Sequence, residues 1–410
     1  MQQKLRERYT RNIQRVVGTT ISNMDNTTDL SYYDTTYKNA FCNFEATDKK
    51  YIGTYCIMIP DEIIYALGYI PLRLCAGHQI PALIGEEIIP RDACPVVKAT
   101  AGFHSMKILP MYNQCELAIM PMTCEAKRKS TEVLAKHLPI IPVPINMSKS
   151  NAAFEDTVLT IRGLVKTLEK QTNVKISKKR LKQACLDING AQRQAYLLQE
   201  KLYSKNPQIK GSQVMYAINS FCYANPHEWE SATSKLIQEI EEKEILAKEP
   251  KRTKPRVFIA GSPISFPNFK LPLLLEDLGA QIVGDESCLS GRLLYDPVIP
   301  NDYSLNSMIR ALTARYISAC TCPVFDNIED RLYSLQNKME LSKAEGIIYH
   351  VLRGCIPYDF ELAAVEEFAK KMDIPLLRVE TDFSQEDIEQ VKIRFEAFIE
   401  MIEFRRKNNG

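Results

Sequence analysis

The chain has 410 residues, 45% of them hydrophobic and 25% charged, with a formal net charge of +2. That length exceeds what one hydrophobic core ordinarily serves, so two domains are expected. The near-neutral balance excludes an electrostatic attraction to nucleic acid or to acidic membrane surfaces. No apolar run reaches the roughly 18 residues of a membrane helix, and the opening Met1-Gln2-Gln3-Lys4-Leu5-Arg6 lacks a secretory signal core, so a cytoplasmic protein is expected.

Residues 1–45 read as an N-terminal helical segment carrying a polar stretch from Asn23 to Thr28. Residues 46–154 read as a first α/β domain. Its expected strands are Tyr51–Tyr55, Ile70–Leu74, Leu117–Met120 and Leu138–Val143, with a helix opened by Pro60-Asp61-Glu62. Residues 155–253 differ: apolar residues recur at spacings of three and four through Val158, Ile161, Leu164, Leu168 and again from Leu181 to Leu202. That periodicity predicts a helical insert, closed by the Pro-punctuated linker Glu249–Pro255.

Residues 254–410 read as a second α/β domain. Arg256–Gly261 is a strand ending in a Gly/Pro turn, followed by a helix over 269–278. Gln281–Gly284, Gly346–His350 and Pro375–Val379 supply further strands, and Glu386–Arg405 a closing helix. Strands alternating with helices predict parallel sheets covered on both faces. The expected fold class is therefore α/β: two doubly wound, flavodoxin- or Rossmann-like domains with a helical insert between them.

Twelve cysteines punctuate this frame. Cys56, Cys75, Cys94 and Cys124 fall in the first α/β stretch, and Cys288, Cys320, Cys322 and Cys355 in the second, several beside Pro or Gly. A reducing compartment argues against disulfides and for metal ligation, whereas Cys42, Cys115, Cys185 and Cys222 read as small packed hydrophobes. Ligands to open α/β sheets bind beyond the carboxyl ends of the strands, where most of the eight grouped cysteines lie. Structural zinc prefers local Cys-x2–4-Cys pairs. The long spacings here, with only five histidines, fit iron–sulfur ligation, which requires only that thiolates converge in space. No phosphate-binding loop, dinucleotide fingerprint or Ser-His-Asp arrangement stands out. Glu62 is a candidate general acid or base, against a plain helix N-terminal charge. His78 and His104 are candidate donors, against packed histidines.

The segments Tyr55-Cys56 through Glu62, Leu67 through Cys75, Cys94-Pro95 through Phe103, Thr123-Cys124 through Lys129, Gly346–Cys355 and Ile374–Asp382 together resemble the 2-hydroxyacyl-CoA dehydratase/benzoyl-CoA reductase superfamily. The likeness covers about residues 46–403. It implies an interdomain iron–sulfur cleft, with Cys94, Cys124 and Cys355 as ligands of a 4Fe–4S cluster. The extra Cys75 and the Cys320-Thr321-Cys322-Pro323 element resemble the double-cubane cluster proteins of that superfamily. Cys56 and Cys75, with Cys320 or Cys322, would hold a second linked cubane; Cys322 is preferred because Pro323 fixes the following turn, and Cys288 is held in reserve. Glu125 stands where relatives usually have Asp. The resemblance implies an iron–sulfur reductase fed by a separate activator ATPase with its own 4Fe–4S cluster. It would act on a small substrate and form a homodimer. The alternatives are a 2-hydroxyacyl-CoA dehydratase subunit with one 4Fe–4S cluster and a non-catalytic cluster carrier.

Overall fold

The computed structural model describes residues 2–24, 27–43, 48–248 and 254–409. The linker expected at 249–255 lies mostly outside them. The first sheet contains β1 (Tyr51–Thr54), β2 (Ile70–Arg73), β3 (Cys115–Met122) and β4 (Ile140–Pro144). The second contains β5 (Arg256–Gly261), β6 (Gln281–Asp285), β7 (Gly346–Leu352) and β8 (Leu376–Thr381). All neighbouring strands pair parallel, in the orders β2-β1-β3-β4 and β6-β5-β7-β8. β5 and β7 are buried at every position, as strands covered on both faces must be. The halves therefore repeat one topology, the first strand of each standing next to the third. That is where strand order reverses and where such sheets bind ligands.

The insert comprises helices Asn151–Thr172, Lys178–Glu200, Gly211–Ser220 and Pro226–Leu246. Three start on polar caps that accept free first-turn N–H groups: Ser150 from Ala153 at 3.2 Å, Ser177 from Arg180 at 3.2 Å and Asn225 from His227 at 3.0 Å. The Gly211–Ser220 helix is wholly buried, and Trp229 locks against it by donating to the Ala217 carbonyl at 3.0 Å. The N-terminal segment is more structured than its sequence suggests. Helix Gln2–Ser22 is followed by a second helix, Ser31–Phe41, whose tyrosines and threonines are poor helix formers. Tertiary contacts hold it: Tyr37 stacks on Phe266 with ring centres 3.7 Å apart, and its hydroxyl donates to the Tyr216 carbonyl at 2.9 Å. One continuous apolar core takes residues from this segment, both sheets and the insert, including Val17, Leu74, Met215, Val257 and Val379. The carboxyl ends of both sheets are thereby held around one cleft. Among the described residues, no helix is long and apolar enough to cross a membrane.

A cavity lined by seven cysteines

The cleft is a cavity of about 610 Å³ whose wall includes Cys56, Cys75, Cys94, Cys124, Cys288, Cys322 and Cys355. The topology accounts for their arrival. Cys56 follows β1, Cys75 follows β2, and Cys124 follows β3. In the second half Cys288 follows β6 and Cys355 follows β7, the counterparts of Cys75 and Cys124. Cys94 lies in the connection between β2 and β3, and Cys322 in that between β6 and β7.

Three of the seven share a further feature. Cys94, Cys124 and Cys355 are the N-cap residues of helices Pro95–Met106, Glu125–Leu134 and Ile356–Lys371. Pro95 and Pro357 sit in the first turns of two of these helices, where their missing N–H groups cost nothing. Three helix N-termini thus face one place, which favours negative charge there. Cys94 and Cys355 meet directly. A hydrogen bond from Cys355 holds the Cys94 thiol below its usual range, outweighing burial, with help from the N–H groups of Val96 and Val97. The same contact, together with burial, pushes Cys355 up. Cys124 is near enough for its charge to act on Cys94.

Cys56, Cys75, Cys288 and Cys322 form a second neighbourhood. Burial raises Cys75 to about 11, with the charge of Cys56 adding to it. Burial likewise raises Cys322 and Cys288, each of which feels Cys56. Burial acts on Cys56 too, but the Lys127 and Arg73 charges and the Met58 N–H bring it below the ordinary thiol value. Arg73 is itself fixed by Asp61 at 3.0 Å and donates to the Cys56 carbonyl. On the other wall, Arg292 and Arg331 both donate to the Thr321 carbonyl, at 2.8 and 3.2 Å. Arg331 is buried between Glu286 at 2.5 Å and Glu361 at 2.7 Å, and Arg292 also donates to the Tyr358 hydroxyl. This double clamp fixes the segment that carries Cys322.

Four expected residues do not line the cavity. Cys320, 1% exposed, packs in the core with Tyr316 and Ile317 and does not line the cavity. Glu62 is fully buried at the start of helix Asp61–Ala66 and does not line the cavity either; burial raises its carboxyl to about 7 against the charge of Arg315. His78 caps the short helix Gln79–Gly85, its Nδ1 accepting from the Ile80 N–H at 3.1 Å. Burial lowers it to about 4, and it faces a separate groove containing Arg15. His104 bonds the Tyr55 hydroxyl at 2.6 Å inside the core. None of Cys42, Cys115, Cys185 and Cys222 lines the cavity.

Arg73 and Lys127 fall within the segments Leu67–Cys75 and Thr123–Lys129 without a role of their own in the sequence, and nothing local marks Arg292 or Arg331. The signal for Lys127 was its position three residues after Cys124, which on a helix is the same face. Among the described residues, no three His, Cys, Asp or Glu side chains converge closely enough to chelate a single ion. Thiolates on a cubane each bind a different iron and have no need to converge so tightly.

Known proteins share this frame. YjiM of Escherichia coli (strain K12), which bears the provisional name of a dehydratase subunit, is 27% identical over 363 residues, 86% of this chain and 91% of its own. The (R)-phenyllactyl-CoA dehydratase beta subunit of Clostridium sporogenes is 22% identical, covering 88% of this chain and 94% of its own. The lactoyl-CoA dehydratase subunit beta of Anaerotignum propionicum is also 22% identical, covering 89% and 95%. The sequence profile of the 2-hydroxyglutaryl-CoA dehydratase D-component matches residues 56–402, a span that includes all seven cavity cysteines. The chain belongs to the 2-hydroxyglutaryl-CoA dehydratase D-component family, within the 2-hydroxyacyl-CoA dehydratase superfamily.

Proposed function

We propose that this chain is the iron–sulfur component of an ATP-driven two-component reductase. A separate activator ATPase with its own 4Fe–4S cluster would deliver low-potential electrons for reduction of a small substrate in the cleft. One observation carries the reading: seven thiols in two neighbourhoods line one cavity, where a single cubane with an open iron needs about three or four cysteines. Cys94, Cys124 and Cys355 would hold one 4Fe–4S unit. Cys56, Cys75 and Cys322 would hold the second, with Cys288 as the alternative sixth ligand; Cys320, which feels the charges of Cys322 and Cys56 but packs in the core, is the less favoured member of its pair. The donor set fits such a group, because soft thiolates select iron–sulfur centres and three helix N-termini face the first set. When bound, the double cubane would supply low-potential electrons.

The chain's own residues do the rest. Arg73 fixes the backbone of Cys56, and the Arg292–Arg331 clamp fixes that of Cys322. Val96, Val97, Leu289, Val324 and Phe325 give the cavity apolar walls that limit water. Glu62 and His78 take no part, since neither reaches the cavity. Function in a homodimer is part of the proposal.

A second reading, a 2-hydroxyacyl-CoA dehydratase subunit holding one 4Fe–4S cluster, is supported by the activities named for the relatives. Iron and sulfide counting on anaerobically purified protein, with electron paramagnetic resonance, separates the two: about eight irons per chain supports the double cubane and about four the dehydratase subunit. Assay with the cognate activator, ATP and a small unsaturated substrate such as acetylene then tests reduction. Iron without turnover on any substrate of a broad panel would favour a cluster carrier.

A further inference from the structure

One charge in the cavity has no carboxylate partner. Lys127 is the third residue of helix Glu125–Leu134, one turn beyond Cys124, so the two side chains leave the same helix face. The first turn of a helix disfavours a cation, because the macrodipole already places positive charge there. Helix stability therefore does not explain Lys127. Its neighbour Arg128 is half exposed and satisfied by Glu125, at 2.6 and 2.8 Å. Lys127 instead turns inward, donating to Thr123 Oγ1 at 3.2 Å, and comes among the sulfurs of Cys56, Cys124, Cys75 and Cys322.

Among the described residues that line the cavity, Lys127 is the only Lys, Arg or His. The two lining carboxylates are taken elsewhere, Glu125 by Arg128 and Glu361 by Arg331. No described carboxylate lies within ion-pair reach of Lys127. An ammonium drawn out of water needs a counter-charge, and the groups at hand that can supply one are the cysteine sulfurs. Those sulfurs belong to both neighbourhoods: Cys56, Cys75 and Cys322 to one, Cys124 to the other.

We propose that Lys127 is the internal counter-cation of the cavity, standing between the two cysteine sets and raising the reduction potential of the metal–thiolate group they hold. This rests on the iron–sulfur reading above and adds to it a residue that sets how readily the group accepts an electron. Each electron received adds one negative charge. A fixed positive charge nearby stabilises the reduced state more than the oxidised one, and in a partly buried site water screens it little.

The test uses full-length protein purified anaerobically, as wild type, Lys127→Met and Lys127→Arg. Iron and sulfide are counted, and the reduction potential is measured by titration followed by electron paramagnetic resonance. The expected result is equal iron in all three. At a fixed applied potential, Lys127→Met should show a reduced-to-oxidised ratio at least about tenfold below wild type, which is 59 mV for a one-electron couple, with Lys127→Arg within roughly threefold of wild type. Full iron with an unshifted potential in Lys127→Met overturns the proposal, as does a shift of equal size in Lys127→Arg. If Lys127→Met loses iron while Lys127→Arg keeps it, the charge serves assembly rather than the potential, and the proposal fails. If both lose iron, the shape of the side chain matters rather than its charge, and the proposal fails. The wild-type count separates this from the functional reading. About four irons with a shifted Lys127→Met removes the double cubane and keeps the counter-cation, whereas about eight irons without a shift does the reverse. A wild type that holds no iron removes both.

Discussion

Gly354 offers the sharpest test of how the cavity is built. It immediately precedes Cys355, has φ +77°, and a Cβ placed on it would stand 2.2 Å from the backbone oxygen of Asp92, two residues before Cys94. The close approach of these two segments lets Cys94 and Cys355 meet. Gly354→Ala therefore adds two costs. A left-handed conformation costs an L-residue about 1–2 kcal/mol. The Asp92 contact must open by about 1 Å to reach van der Waals distance, and overpacking of this kind costs about 1–3 kcal/mol. The stiffer unfolded chain returns about 0.4–1 kcal/mol, leaving a net loss of roughly 1–5 kcal/mol.

Gly68→Ala is the control, because Gly68 has φ +83° but a Cβ there meets nothing within 4 Å. It should lose no more than about 1.5 kcal/mol, so the difference between the variants isolates the close approach. Denaturant unfolding with unchanged m-values measures it. Because the displacement falls on the proposed Cys94–Cys124–Cys355 set, Gly354→Ala should also lose about half of the iron of a double cubane, while Gly68→Ala keeps all of it. A Gly354→Ala protein no less stable than Gly68→Ala and fully loaded with iron would show that the two segments need not touch for the site to form.

Further expectations concern single side chains. Cys322→Ser should lose iron, whereas Cys320→Ser should keep it and cost about 1–3 kcal/mol for burying a hydroxyl in an apolar core, as read by metal analysis and unfolding. Arg331→Met leaves Glu286 and Glu361 buried without their cation; breaking such a pair should cost about 3–5 kcal/mol, measurable by denaturant titration of the metal-free protein. Burial raises the Glu62 carboxyl to about 7 from its ordinary 4.5. The folded chain therefore binds more protons than the unfolded one between those values, and its stability falls as pH rises through that window. Glu62→Gln should abolish this contribution, which is on the order of 3 kcal/mol. A stability-versus-pH difference between wild type and variant that is flat from pH 4.5 to 7 would refute it.

The strands were legible because parallel strands buried on both faces form short apolar runs, and all eight stand where such runs stand in the sequence. The cavity was legible for a related reason. A cysteine just past a strand end, in a Pro/Gly turn, has few places to go but the carboxyl edge of the sheet, and Cys75, Cys124 and Cys355 obey that rule. What failed was any inference that depended on side-chain direction. Between Cys320 and Cys322 the local sequence offers only Pro323 as a guide, and the two guanidiniums that hold the Thr321 carbonyl come from 29 and 10 residues away. His78 lies three residues from Cys75, yet its role as a helix cap turns it to the opposite side. Helix Ser31–Phe41 was invisible because tertiary aromatic packing rather than propensity stabilises it.

The proposed ligand sets carry a consequence that neither half shows alone. The halves present cysteines at matching places, Cys75 with Cys288 and Cys124 with Cys355, so a symmetric division would give each half its own cluster. The contacts divide otherwise. Cys355 of the second half meets Cys94 of the first, which Cys124 neighbours, while Cys322 of the second half neighbours Cys56 of the first, which in turn neighbours Cys75. Each proposed set takes two thiols from the first half and one from the second, so neither half holds a complete set by itself. Any motion that opens the cleft must then strain both sets together, against the apolar core shared behind the sheets. A metal group bound here would act as a cross-link between the halves as well as an electron store.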